Sequence, residues 1–230
     1  MSTLDGPGEM HAYQAANRAV AGRVSDLLAS LGIQAFMAHE HIEVSVQWRD
    51  EILRQIGLAN LFVPILSQSY YASIWCKQES GIAAFRRITV IPLSIDGSTP
   101  QGAISNFQST IIDPNAPVYA NILPGLALND VNFLISALTP IIARSGNFRS
   151  AESNFDLVVP YLPRATDQQI VGLLNVAQRN DQISNAGRCA VHLLPPLMAS
   201  HGHLLDPQVR ASLQETLARY QIPPPRPAGF

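Results

Sequence analysis

An apolar run that passes straight into a helical segment constrains this chain more than any other feature. Asn60-Leu-Phe-Val-Pro-Ile-Leu66 reads as a buried strand, and the residues from Ser67 to Arg87 read as the helical stretch after it. Trp75 and Glu79 are four apart, so on a helix they lie one above the other on one face. Ile82 and Ala83 continue that stripe. Glu79 is therefore a carboxylate on the apolar side of its helix, just past the carboxyl end of a strand. In an open parallel sheet that is where ligands bind. Position alone leaves two accounts of Glu79: an ion pair with Arg86 or Arg87, or a functional carboxylate.

The same alternation extends on both sides. Val20, Val24, Leu27, Leu28 and Leu31 mark one face of a helix over roughly 11–31, and Gly32 stops it. Ile33-Gln-Ala-Phe-Met37 is a short strand, followed by the polar loop Ala38-His-Glu-His-Ile-Glu-Val-Ser45. Ser45 suits the N-cap of a helix from Val46 whose inner stripe is Trp48, Ile52 and Ile56. Residues 88–95 form another strand, and Gln108-Ser-Thr-Ile-Ile112 a short last one. Strands alternating with helices predict an α/β fold, a parallel sheet with helices on both faces. Pro64 and Pro92 fall inside two of these strands, which is tolerable if each lies near the carboxyl end, where pairing stops. Gly8-Glu-Met-His-Ala-Tyr-Gln-Ala-Ala16 does not read as a buried strand.

After residue 112 the pattern changes. Residues 113–125 are Pro-rich and read as a linker, and residues 126–230 as a helical domain. Asn129 or Asp130 caps a helix carrying Val131, Leu134, Ile135, Leu138 and Ile142, with a bend expected at Pro140. Thr166-Asp-Gln-Gln169 has the spacing of a capping box. A helix is expected over 184–194, ended by Pro195-Pro196. Asp206-Pro207 reads as a cap followed by proline at the first helical position, leading Val209, Leu213 and Leu217.

Composition narrows the function classes. A net charge of -2 over 230 residues gives no electrostatic footprint for nucleic acid. No apolar run approaches the length of a membrane span, so no membrane partner is expected. The N-terminus lacks the basic and apolar regions of a secretory signal. Cys76 and Cys189 are the only cysteines, which suits a reducing, cytoplasmic setting. His39 and His41 with Glu40 and Glu43 suggest a metal, but two histidines do not make a site and no third ligand is placed, so no metal is expected. Tyr70 and Tyr71 could stack on a base, although packing is the simpler account for at least one of them. There is no Gly-rich phosphate loop and no nucleophile triad to place.

Ser73-Ile-Trp-Cys-Lys-Gln-Glu79 resembles the Ser-x-Trp-x-x-x-Glu signature of TIR (Toll/interleukin-1 receptor) domains. The helix, Leu31-Gly-Ile-Gln-Ala-Phe36, Trp48-Arg-Asp-Glu-Ile52 and Phe62-Val-Pro-Ile-Leu-Ser67 follow in TIR order and spacing, most similar to bacterial members. The resemblance covers residues 11 to about 112, within a TIR-like, flavodoxin-like domain over 1–112, and no family is recognised in 126–230. It departs from the family at the first strand, which is missing or degenerate here. It implies that Glu79 is the essential residue of NAD+ cleavage, with no cofactor beyond NAD+ as substrate. It places Ser73, Trp75, Trp48, Phe36 and His39 about the nucleotide, and residues 38–45 as the loop bordering it and mediating assembly. It also implies self-association through the TIR domain, with the helical domain and an activating protein as further partners. Bacterial proteins of this kind resemble immune effectors that deplete NAD+ or make nucleotide signals during phage infection. Two other classes stay open: a non-enzymatic interaction scaffold, and a nucleoside deoxyribosyltransferase-like enzyme that also uses a Glu on the sugar.

Overall fold

The computed structural model describes residues 9–11, 17–37 and 48–221. The chain divides between Asp130 and Val131 into two compact units. The first carries strands β1 (Glu9–His11), β2 (Ala35–Met37), β3 (Leu61–Phe62), β4 (Ile65–Leu66), β5 (Thr89–Val90), β6 (Leu93–Ser94) and β7 (Thr110–Ile111). Its helices are α1 (Arg18–Ser30), α2 (Trp48–Leu58), α3 (Gln68–Ala72) and α4 (Ile74–Phe85). All strand pairs are parallel, in the orders β2-β1-β3-β5 and β4-β6-β7.

The two sheets are one sheet interrupted at its prolines. The carbonyls of Asn60, Phe62, Pro64 and Leu66 accept in turn from the backbone N–H of Thr89, Ile91, Leu93 and Ile95, at 2.9–3.3 Å. Pro64 thus sits mid-strand rather than at the carboxyl end. Its carbonyl holds Leu93, and the only rung lost is the one its missing N–H would have returned. Pro92 accepts from Thr110 N, and its nitrogen faces the stretch before β7 begins, so pairing also continues past it. Counted this way the strand order is that of the flavodoxin-like sheets, with the direction of winding reversing between β1 and β3.

The first strand exists in its degenerate form. Only three residues long, β1 is nevertheless central: Met10 pairs with Phe36 on one side and Phe62 on the other. Its backbone groups are used by two neighbours, so an apolar run is not required to hold it. In α1, Val20, Val24 and Leu28 of the predicted stripe are buried, as is Leu31 just past the helix, while Leu27 is half-buried. A core of Ile52, Ile56, Phe62, Leu66, Tyr70, Cys76, Ala83, Val90 and Ile104 packs α2 and α4 on the sheet.

Residues 113–125, expected as a linker, pack within the first unit. Arg23 Nη1 donates to the Pro114 carbonyl at 3.1 Å, Ser30 Oγ meets the Tyr119 hydroxyl at 2.8 Å, and Ile122 and Leu123 are buried. Helix α5 (Leu123–Ala143) crosses the boundary and is broken at Asp130, whose φ of -153° and ψ of 101° are those of a helix-capping residue. Asp130 is thus one of the two caps read from the sequence, and Pro140 lies inside the helix that follows with helical φ and ψ. This 21-residue helix is long and apolar enough by composition to span a membrane, contrary to expectation. Yet it is interrupted at Asp130, and Leu134, Ile135, Leu138 and Ile142 beyond the break are fully buried core.

The second unit is helical: α6 (Phe148–Val158), α7 (Asp167–Arg179), α8 (Asp181–Ser184), α9 (Leu194–His201) and α10 (Pro207–Gln221). The Thr166 hydroxyl accepts from Gln169 N while Gln169 Oε1 accepts from Thr166 N, the predicted capping box. Asp206 Oδ1 accepts from Gln208 N at 2.9 Å and leads α10, also as predicted. Pro195-Pro196 does not end a helix but sits in the first turn of α9, where the missing N–H groups matter least. The turn before it, Cys189–Leu193, widens into a π-helix. Two successive prolines remove donors and crowd the carbonyls four residues back, and a wider turn relieves this.

Candidate functional site

Glu79 lies in the second turn of α4. Ser73 caps that helix, its Oγ accepting from Cys76 N at 3.3 Å. Tyr70 fixes the first turn from below: its hydroxyl donates to the Cys76 carbonyl at 3.2 Å and meets Ser80 Oγ at 2.6 Å. Tyr70 is fully buried, and the Tyr71 hydroxyl donates to the Thr99 carbonyl at 2.8 Å, so both tyrosines serve packing. The carboxyl ends of the strands are laced beside them. Asn17 Nδ2 donates to Ser67 Oγ at 2.9 Å, and Gln68 N to Asp96 Oδ2 at 2.8 Å.

A cleft of about 380 Å³ runs between α2 and α4. Helix α2 contributes Ile52, Leu53 and Ile56, and α4 contributes Trp75, Gln78, Glu79, Ile82 and Phe85. Among the described residues Glu79 is the sole ionisable one of its walls, and it is only 5% exposed. Among the described residues no hydrogen bond or ion pair reaches its carboxyl group. Burial alone pushes its pKa up to about 8, which favours the protonated acid at neutral pH. The ion-pair account fails on Arg86. Its guanidinium turns to the other helix, donating to the carbonyls of Ile56 and, at 3.0 Å, Ala59. There it satisfies groups at the end of α2 that a helix leaves unpaired.

Of the other site residues read from sequence, Trp75 lines the cleft one turn from Glu79 and is 42% exposed. Ser73 acts as the helix cap, Phe36 on β2 packs against the core, and neither lines the cleft. Trp48 opens α2. His39 and the 38–45 loop lie outside the described residues. Gln78, Phe85 and Leu53 were not singled out from sequence. For Gln78 and Phe85 the signal was present: Trp75, Gln78, Ile82 and Phe85 recur at three- and four-residue steps, a helix face parallel to the buried one.

Residues 12–115 match the family model of the TIR domain. The first half of this chain is a TIR domain. Its sheet order and the helix bearing Ser73, Trp75 and Glu79 agree with that assignment. No curated protein matches the chain, and no solved structure does.

Proposed function

We propose that the TIR domain hydrolyses NAD+ at the nicotinamide–ribose bond, with Glu79 as the catalytic carboxylate. The observation that carries this is a buried carboxyl group on a cleft wall with no partner among the described residues. A structural carboxylate that deep would be paired, since burial otherwise disfavours its charge. An unpaired one is suited to a cationic ligand. The positive nicotinamide ring, and then the positive charge growing on the ribose as the C–N bond breaks, favour the ionised form of Glu79. The bonding electrons leave with neutral nicotinamide. Water supplies hydroxide to the ribose carbon and a proton to solvent, giving ADP-ribose. The apolar walls Ile52, Ile56 and Ile82 keep the dielectric low around that charge. A role in bacterial antiphage defence, with activity that depends on self-association and an activating partner, belongs to the same reading.

A second reading is favoured by one feature of α4. Phe85 is 88% exposed and Ile74 is 69% exposed, apolar surface suited to a protein contact in a TIR scaffold. The two readings separate on Glu79→Gln. Nicotinamide release from NAD+ at high protein concentration, abolished by the substitution, supports the enzyme. Assemblies that form equally well in both proteins, with no release from either, support the scaffold.

A further inference from the structure

The TIR unit holds a second cavity, of about 480 Å³, that shares no residue with the Glu79 cleft. It opens at the amino end of β5, away from the carboxyl ends of the strands. Ile88, Val90, Phe107 and Leu128 give it apolar walls, and Arg87 and Asn106 are its long polar side chains. Leu128 is left 85% exposed there.

Among the described residues Arg87 is the one charged residue of the cavity, and its guanidinium has no hydrogen bond or ion pair with any of them. Its backbone is unusual as well. Arg87 N donates to the Ala84 carbonyl and Ile88 N to the Ala83 carbonyl, closing α4 with Arg87 at a φ of 56°. Glycine is the residue that ordinarily closes a helix in this left-handed conformation, because a side chain there is sterically costly. The chain thus places an unpaired guanidinium beside an apolar cavity, at a position where glycine would fit the backbone better. Among the described residues of the first unit no hydrogen bond or ion pair uses that side chain. Thr89 is committed, its Oγ1 donating to Asn129 Oδ1 at 2.7 Å, which leaves Arg87 and Asn106 as the donors open to a ligand.

We propose that this cavity binds a small amphipathic anion, with a carboxylate or similar group on Arg87 and Asn106 and an aromatic or acyl body against Val90, Phe107 and Leu128. One fork of N–H donors above an apolar floor matches a single negative group on an apolar body. The volume is that of a small-molecule site.

Anilinonaphthalene sulfonate, an apolar fluorophore with one anionic group, is a direct test on the full chain. The wild type is expected to bind it saturably with one equivalent. Arg87→Gly is expected to weaken that binding about tenfold, or about 1.4 kcal/mol. Its melting temperature should stay the same or rise, because glycine relieves the backbone. Leu128→Glu places a like charge against the anion and should also weaken binding. Phe85→Ser, in the other cleft, should leave it unchanged. Absence of saturable binding, full affinity in Arg87→Gly, or loss of binding in Phe85→Ser would each overturn the proposal.

Discussion

Replacing Glu79 by glutamine should stabilise the TIR unit, and increasingly so as the pH rises. The carboxyl group titrates at 4.5 in the unfolded chain and at about 8 in the fold. Between those values the folded state keeps a proton that the unfolded state has released, so wild-type stability falls as pH rises through this window. At about 1.36 kcal/mol per pH unit, the loss reaches a ceiling of about 5 kcal/mol by pH 8. Water entry and side-chain relaxation lower such penalties, so a measured loss of about 2–4 kcal/mol is expected. Glutamine has the shape of the protonated acid and does not titrate. The two proteins should therefore be nearly equal near pH 4.5 and differ by that amount at pH 8, with glutamine the more stable. Urea unfolding followed by tryptophan fluorescence measures this for the TIR unit alone, because the only tryptophans, Trp48 and Trp75, lie within it. A stability difference that is the same at pH 5 and pH 8 would refute the argument, since it would mean that the carboxylate is compensated in the fold.

Two other substitutions test the surroundings by the same unfolding assay. Arg86→Ala should cost about 1–3 kcal/mol through the carbonyls of Ile56 and Ala59, yet leave the pH dependence due to Glu79 unchanged; loss of that dependence would mean that Arg86 acts on Glu79 after all. Gly125→Ala would bring a methyl group within 2.6 Å of Ile91 Cδ1 and Cγ1, so a net loss of about 1 kcal/mol is expected despite alanine's better helix propensity; a gain would show that the start of α5 does not pack tightly on the sheet.

What could be read from the sequence was whatever depended on neighbours in the chain. The stripe of α1, the Thr166–Gln169 capping box, the Asp206-Pro207 start and the pairing of Trp75 with Glu79 are all set by spacings of one to four residues. What could not be read depended on distant partners. Strand β1 is held by backbone bonds to two other strands, which leave no mark on its side chains. Pro64 is tolerated because its carbonyl, and not its missing N–H, carries the next rung of the ladder. Pro195-Pro196 marks a helix boundary in either direction, and only the widened turn before it shows that it opens α9. At the site, the carboxylate was legible from its helix face. The facing wall of the cleft was not, because Ile52 and Ile56 carry the same pattern whether they fill a core or border a ligand.

The most direct test of the central claim is kcat/KM for nicotinamide release from NAD+ measured across pH, with Glu79→Gln as the control. This quantity follows the ionisation of the free enzyme. A carboxylate that must lose its proton in the free enzyme predicts a rise with pH to a plateau above about 8, and no release from the glutamine variant at any pH. Release by Glu79→Gln at the wild-type rate, or a wild-type profile already flat above pH 5, would contradict the account.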